Sequence, residues 1–224
     1  MARMARVVVP GMPHHVTQRG NRRQPVFFCD DDYALYLRLL GEHCGCLGVA
    51  IWAYCLMPNH VHLVVVPRTA EALALAIGEV HRRYTCHVNA RECWTGYLWQ
   101  GRFGSSVMDT PHTLAAVRYV ELNPVRAGLT PEPQEYPWSS ARAHLDGRDD
   151  RLVQVEPMLS AVGDWSEYLA QSEQEAEISQ LRRHAKTGRP LGSPEFTASL
   201  EPLVGRILRK RKPGPKPPGR PNQG

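Results

Sequence analysis

A chain of 224 residues with a hydrophobic fraction of 42% can bury one core of about 130 to 150 residues and still carry extensions. No window approaches the roughly 18 apolar residues of a membrane span and the N-terminus lacks a signal-peptide core, so a cytoplasmic protein is expected. The six cysteines contain no C-x-x-C pair, which argues against a structural zinc site and leaves them as free thiols. The formal charge of +5 is unevenly placed. Residues 1–24 carry five arginines and residues 205–224 seven Lys and Arg, with no acid in either stretch, leaving 15 basic residues against 22 acids between them. Basic ends on an acidic body suit a polyanion partner, most often nucleic acid.

In chain order, Val7–Val9 and His15–Arg19 are short extended runs, the second leading into a Gly20-Asn21 turn followed by Arg22 and Arg23. With Arg19, the turn can present guanidinium forks to phosphates. Tyr36, Leu39, Leu40 and His43 have helical spacing over 30–46, with Asp30 or Asp31 as N-cap and Gly45 and Gly48 at the end. Val49–Leu56 alternates as a strand, and the turn Met57-Pro58-Asn59 pairs it with a second strand that begins at His60. Thr69 caps a helix over 72–89. Gly96–Met108 then reads as a strand or hairpin, in which Trp99, Gln100, Arg102 and Phe103 interleave aromatic and basic groups suited to stacking on bases and contacting phosphate. Thr110 as N-cap and Pro111 in the first turn open a further helix that Pro124 should break.

The order strand, helix, strand, strand, helix, strand predicts an α+β protein with a ferredoxin-like βαββαβ sheet and this last helix added after it. Beyond Gly128, helices are expected at 136–145, 158–169, 173–185 and 196–208, with a Gly-Pro joint at 188–194. The expected organisation is a catalytic domain over 1–130, a mostly helical extension over 131–208 and a basic Pro/Gly-rich disordered tail over 209–224.

On a strand of period two, His60 and His62 share a face and stand as two ligands of a divalent metal would. Tyr119 and Asn123, four apart, share a helix face. If that face packs on the histidine strand, Asn123 adds a carbonyl oxygen and open positions remain, as a catalytic metal requires. Nitrogen and oxygen ligands without cysteine suit Mg²⁺ or Mn²⁺. Such a site can cut a phosphodiester, with Tyr119 attacking phosphorus and displacing the 3′ oxygen; the covalent 5′-phosphotyrosine keeps the bond energy, and no nucleotide cofactor is needed.

The segments MPNHVHLVV, LWQGRFGSS, RYVELNPVRAGL, YPWSSARAHL and TGRPLGSPEF, spread from about Pro13 to about Arg211, resemble the REP-associated tyrosine transposases, which are single-tyrosine HUH nucleases. The resemblance implies His60 and His62 as the metal ligands of the HUH motif, Asn123 as the third ligand and Tyr119 as nucleophile. It also implies transposition chemistry on single-stranded DNA beside REP hairpins, with a tetranucleotide at the hairpin foot guiding recognition. Arg19, Asn21, Arg22, Arg23, Gln100, Arg102 and Arg126 are the candidate DNA contacts. A monomer is expected, a homodimer being the alternative. Two other functions compete: a DNA- or RNA-binding regulator that keeps the scaffold without recombining, and a metal-dependent phosphodiesterase for a small nucleotide.

Overall fold

The structure, a computed structural model, describes residues 5–172 and 174–208; the expected tail at 209–224 lies outside them. Six elements build the sheet layer: β1 (His14–Arg19), α1 (Asp30–Leu47), β2 (Val49–Met57), β3 (His60–Pro67), α2 (Ala72–Glu92) and β4 (Gly104–Val107). The strands lie in the order β2-β3-β1-β4 and every pairing is antiparallel. That is the expected interleaving of two βαβ halves, and it makes β3 an interior strand.

Alternation along β3 divides the core in two. Val61, Leu63 and Val65 point to one face, where they join Tyr36, Leu40, Leu73, Ile77, Val80 and Tyr84 from α1 and α2 in one buried cluster. Val64 points to the other, with Ala53, Cys55 and Met57 of β2, and is covered by Val117 and Val120. Those two residues belong to α3 (Thr110–Glu121), which is followed by the short α4 (Asn123–Arg126). The covering is completed by α5 (Ala141–Asp146), α6 (Glu156–Leu159), α7 (Trp165–Ala170) and α8 (Glu175–Thr187), which contribute Met158, Trp165, Leu169, Ile178 and Leu181 among others. Finally α9 (Pro194–Val204) lays Leu200 against Val7, Val9 and Val107, so the expected extended run at Val7–Val9 packs as irregular chain and not in the sheet.

Several local expectations shift for identifiable reasons. Cys29 and not Asp30 or Asp31 occupies the N-cap of α1; three acids fill the first turn, and the Asp32 carboxylate reaches back to accept from the Phe28 amide at 2.8 Å. Gly45 is helical, and Gly48, with φ +66°, ends α1. At α3 the cap is Asp109, whose carboxylate accepts from the His112 amide, which leaves Thr110 and Pro111 as the first helical residues. Only Gly104–Val107 of the expected 96–108 strand is extended. Gly96 and Gly101 take left-handed backbone (φ +98° and +68°) and break the rest into a loop.

The extension also differs in detail. Pro124 has no N–H to offer the Val120 carbonyl, and α3 ends at Glu121. Residues 138–140 run beside β2, with the Leu56 amide donating to Trp138 and the Ser140 amide to Tyr54, so helix α5 starts only at Ala141. The expected 158–169 helix is two, the second capped by the Asp164 carboxylate on the Glu167 amide. Gly205, at φ +62°, ends the last helix before Leu208.

The end of α3 is fastened to the extension by a buried polar network. Glu121 is fully buried and accepts from the Ser140 hydroxyl (2.7 Å), His144 Nδ1 (2.6 Å) and Trp165 Nε1 (3.0 Å). Three donors from two segments, α5 with its N-cap residue and α7, therefore converge on one carboxylate two residues beyond Tyr119.

Candidate functional site

The hairpin turn at 57–59 brings His60 and His62 onto the face of β3 that α3 covers. Cross-strand partners share a face, so Arg19 lies opposite His60 and Thr17 opposite His62 on β1, with Met57 and Cys55 opposite them on β2. The two rings meet edge to face with centroids 4.9 Å apart.

Each ring is held through Nδ1. The Asn59 carboxamide donates from Nδ2 to the Arg23 carbonyl (3.1 Å), which fixes its orientation and turns Oδ1 to His60 Nδ1 at 2.6 Å. An amide oxygen only accepts, so His60 Nδ1 donates and its Nε2 keeps a lone pair. His62 Nδ1 lies 3.0 Å from Nε2 of His15, a fully buried residue of β1. If His62 Nδ1 is the donor there, its Nε2 is likewise a lone-pair ligand. Burial, and secondarily Arg19, pushes the His60 imidazole down to about 4. His62 is held well below its ordinary value by burial first, then by the neighbouring His60 and His15. Both rings are neutral at pH 7, the form that coordinates a cation.

Tyr119 reaches this face from α3. Its ring stands edge-on to His62 at 5.5 Å between centroids and 6.3 Å from His15. It is 6% exposed, with the Arg126 guanidinium 4.5 Å above the ring and Arg182 Nε of α8 donating to the phenol oxygen at 3.5 Å. Asn123 opens α4 one turn further on, and its buried Nδ2 has no hydrogen-bond partner. Among the described residues no group of three or more His, Cys, Asp or Glu could hold a metal, so an ion at His60 and His62 needs an amide or backbone oxygen. The neutral imidazoles fit such an ion, and the amide oxygen of Asn123 is a donor of the type it would still call for.

The structure brings His60, His62 and Tyr119 together and sets Asn123 four residues beyond Tyr119, at the start of α4. It also adds two residues that sequence reasoning missed. His15 carried a signal in its parity, two residues before Thr17 on the same strand; Arg182 carried none, lying 63 residues from Tyr119 on a polar helix. Of the candidate DNA contacts, Arg22, Arg23, Gln100 and Arg102 are exposed, while Arg19, Asn21 and Arg126 are half-buried. Arg126 packs on the Tyr119 ring and approaches the Tyr119 carbonyl. Trp99 and Phe103, read above as stacking groups, are in the core: Trp99 lies against His81, Tyr36 and Tyr84, and Phe103 under the Arg6 guanidinium at 3.6 Å. A loop pinned by the Asn21 amide on the Leu98 carbonyl turns these aromatics inward.

Fold and site together define an α+β protein with paired histidines on a central strand, faced by a tyrosine on an added helix. The sequence profile of the IS200-like transposases matches residues 8–123, and the chain belongs to that family. A solved structure described as the REP-associated tyrosine transposase bound to a REP hairpin shares the fold. The two chains are 20% identical with a TM-score of 0.56, over 69% of this chain and 92% of that one. A Deinococcus radiodurans R1 protein provisionally called a transposase matches at 21% identity and a TM-score of 0.38, over 55% of this chain and 97% of that one. No curated protein matches the sequence. The resemblance read from the sequence motifs is thus borne out in family and fold. No helix among the described residues is long and apolar enough to cross a membrane.

Proposed function

We propose that this chain is a metal-dependent, sequence-specific endonuclease and strand transferase for single-stranded DNA, acting beside REP-type hairpins. The observation that carries the reading is the approach of the Tyr119 ring to His62 on a pair of neutral histidines. In the proposed step the phenol oxygen of Tyr119 gives up its proton and bonds to the scissile phosphorus. The P–O3′ bond breaks, the 3′ oxygen takes up a proton, and a 5′-phosphotyrosine remains for a later 3′-hydroxyl to reverse. Arg182 and Arg126 place positive charge where the phosphate must arrive. His60, His62 and Asn123 would hold Mg²⁺ or Mn²⁺, which when bound supplies Lewis-acid polarisation of a non-bridging phosphate oxygen. The Glu121 network ties α3 into its own chain, which supports Tyr119 acting in cis in a monomer.

The alternative, a nucleic-acid-binding regulator on the same scaffold, draws on the 6% exposure of Tyr119. One assay separates the two: labelled hairpin DNA is incubated with the protein and Mn²⁺, then denatured in SDS. Covalent chemistry gives a shifted band that survives SDS and is absent with Tyr119→Phe. A shift seen only under native conditions, or a stable band that persists in Tyr119→Phe, would count against the proposal.

A further inference from the structure

The arginine turn and the loop after α2 form one continuous surface. The Asn21 amide donates to the Leu98 carbonyl and the Gln100 amide to the Arg19 carbonyl, each at 2.8 Å. Three large aromatic side chains are left out of the core here: Phe28 is 43% exposed, Trp94 50% and Tyr97 87%. Phe28 and Trp94 meet edge to face with centroids 5.8 Å apart, and the Arg91 guanidinium lies 5.6 Å from the Phe28 ring. Single exposed aromatics are ordinary, but two in mutual contact with a third three residues along, beside exposed arginines, mark a binding surface. Among the described residues the non-glycine positions with left-handed backbone are Arg22 (φ 53°), Arg23 (φ 63°) and Cys93 (φ 55°), all at the borders of this surface. Cys93 takes it as the left-handed cap that ends α2, whereas Arg22 and Arg23 take it at no α-helix end, local strain of the kind that clusters at binding sites.

We propose that Trp94, Tyr97 and Phe28 form a stacking surface for unpaired DNA bases, with Arg22 and Arg23 gripping the intervening phosphates. Aromatic faces accept any base, but only a base freed from its duplex offers its own face. Arginine forks match phosphate oxygens. The surface leads toward the histidines, because the Asn59 side chain joins the Arg23 carbonyl to His60. The inference rests on the proposed DNA cleavage and names the part of the substrate this surface holds.

The test uses the full chain and fluorescence anisotropy across a salt series. The probes are a labelled 12-nucleotide strand without self-complementarity, the same strand with abasic sites, and its duplex. Tyr97→Ala and Trp94→Ala should each weaken single-strand binding by about five- to a hundredfold, with the salt slope and duplex affinity unchanged. Tyr97→Phe should bind as the native chain does, and the abasic strand should bind the native chain at least as weakly as the intact strand binds either alanine variant. Removing Arg22 and Arg23 should flatten the slope by about 0.7 per arginine. Ring variants with native single-strand affinity, or with an equal loss on duplex, would overturn the stacking surface. If the native chain still cleaves hairpin DNA in that event, the proposed function stands and this inference alone falls; a native chain that neither binds nor cleaves single strands removes both.

Discussion

Replacing Glu121 by alanine tests whether the end of α3 is held by the extension. The substitution removes the acceptor for three buried donors, Ser140, His144 and Trp165, which are respectively 0%, 1% and 4% exposed. The Ser140 hydroxyl has a second acceptor, the Tyr54 carbonyl at 3.4 Å, so its loss is partly made good. Among the described residues the His144 Nδ1 and the Trp165 indole have no second acceptor, and each buried unsatisfied donor costs about 1–3 kcal/mol. With the void left by the side chain, the expected loss is about 3–5 kcal/mol, a large share of the roughly 5–15 kcal/mol that holds a domain together. Glu121→Gln keeps the volume and one acceptor oxygen and should lose about 1–3 kcal/mol. Urea unfolding followed by circular dichroism gives both values, at a slope of about 1–3 kcal/mol per molar urea. Amide exchange in the last turn of α3 should quicken in step. An alanine variant within 1 kcal/mol of the native protein, with α3 exchanging at its native rate, would show that this network does not anchor the tyrosine helix.

Two further outcomes are expected. His15→Phe keeps the volume of a buried ring but removes the partner of His62 Nδ1, so Mn²⁺ affinity, read by isothermal titration or the free-ion EPR signal, should fall about ten- to a hundredfold; unchanged affinity would remove His15 from the site. Stability should fall with acid, because burial lowers His14 to about 4 and His81 to about 3, whereas both take up protons near 6.5 once unfolded. The contribution is therefore fully present above pH 6.5 and is lost on the way down toward pH 4. His14 alone loses on the order of 3 kcal/mol over that range, and a flat urea midpoint between pH 7 and 4.5 would contradict it.

The sequence made legible those features that repeat along it. Period-two runs placed β2 and β3 and put both histidines on one face, and helical spacing placed α1 and α2; Pro124 marked a break, but Tyr119 and Asn123, expected on one helix, are divided between α3 and α4 because the helix already ends at Glu121. What stayed hidden depends on contacts between distant residues. His15 gains its role only because β1 lies beside β3, and Arg182 because α8 crosses α3. Trp99 and Phe103 sit in a loop whose local sequence is as compatible with a surface role as with the interior; backbone bonds to β1 decide the matter. Glu121 reads as one more polar residue of an amphipathic helix, since its three donors come from a region of weak periodicity. Asp109 displaced Thr110 as a cap because both are good acceptors and one residue of register separates them.

The extension also hems the sheet. At one margin residues 138–140 hydrogen-bond along β2; at the other the Leu191 amide donates to the Val107 carbonyl of β4. Ladder groups that an incoming strand from another molecule would seek are thereby partly engaged from within. Self-association by edge pairing is discouraged by the same polypeptide that steadies the tyrosine helix, and a chain trimmed back to its sheet would be left with both selvedges frayed.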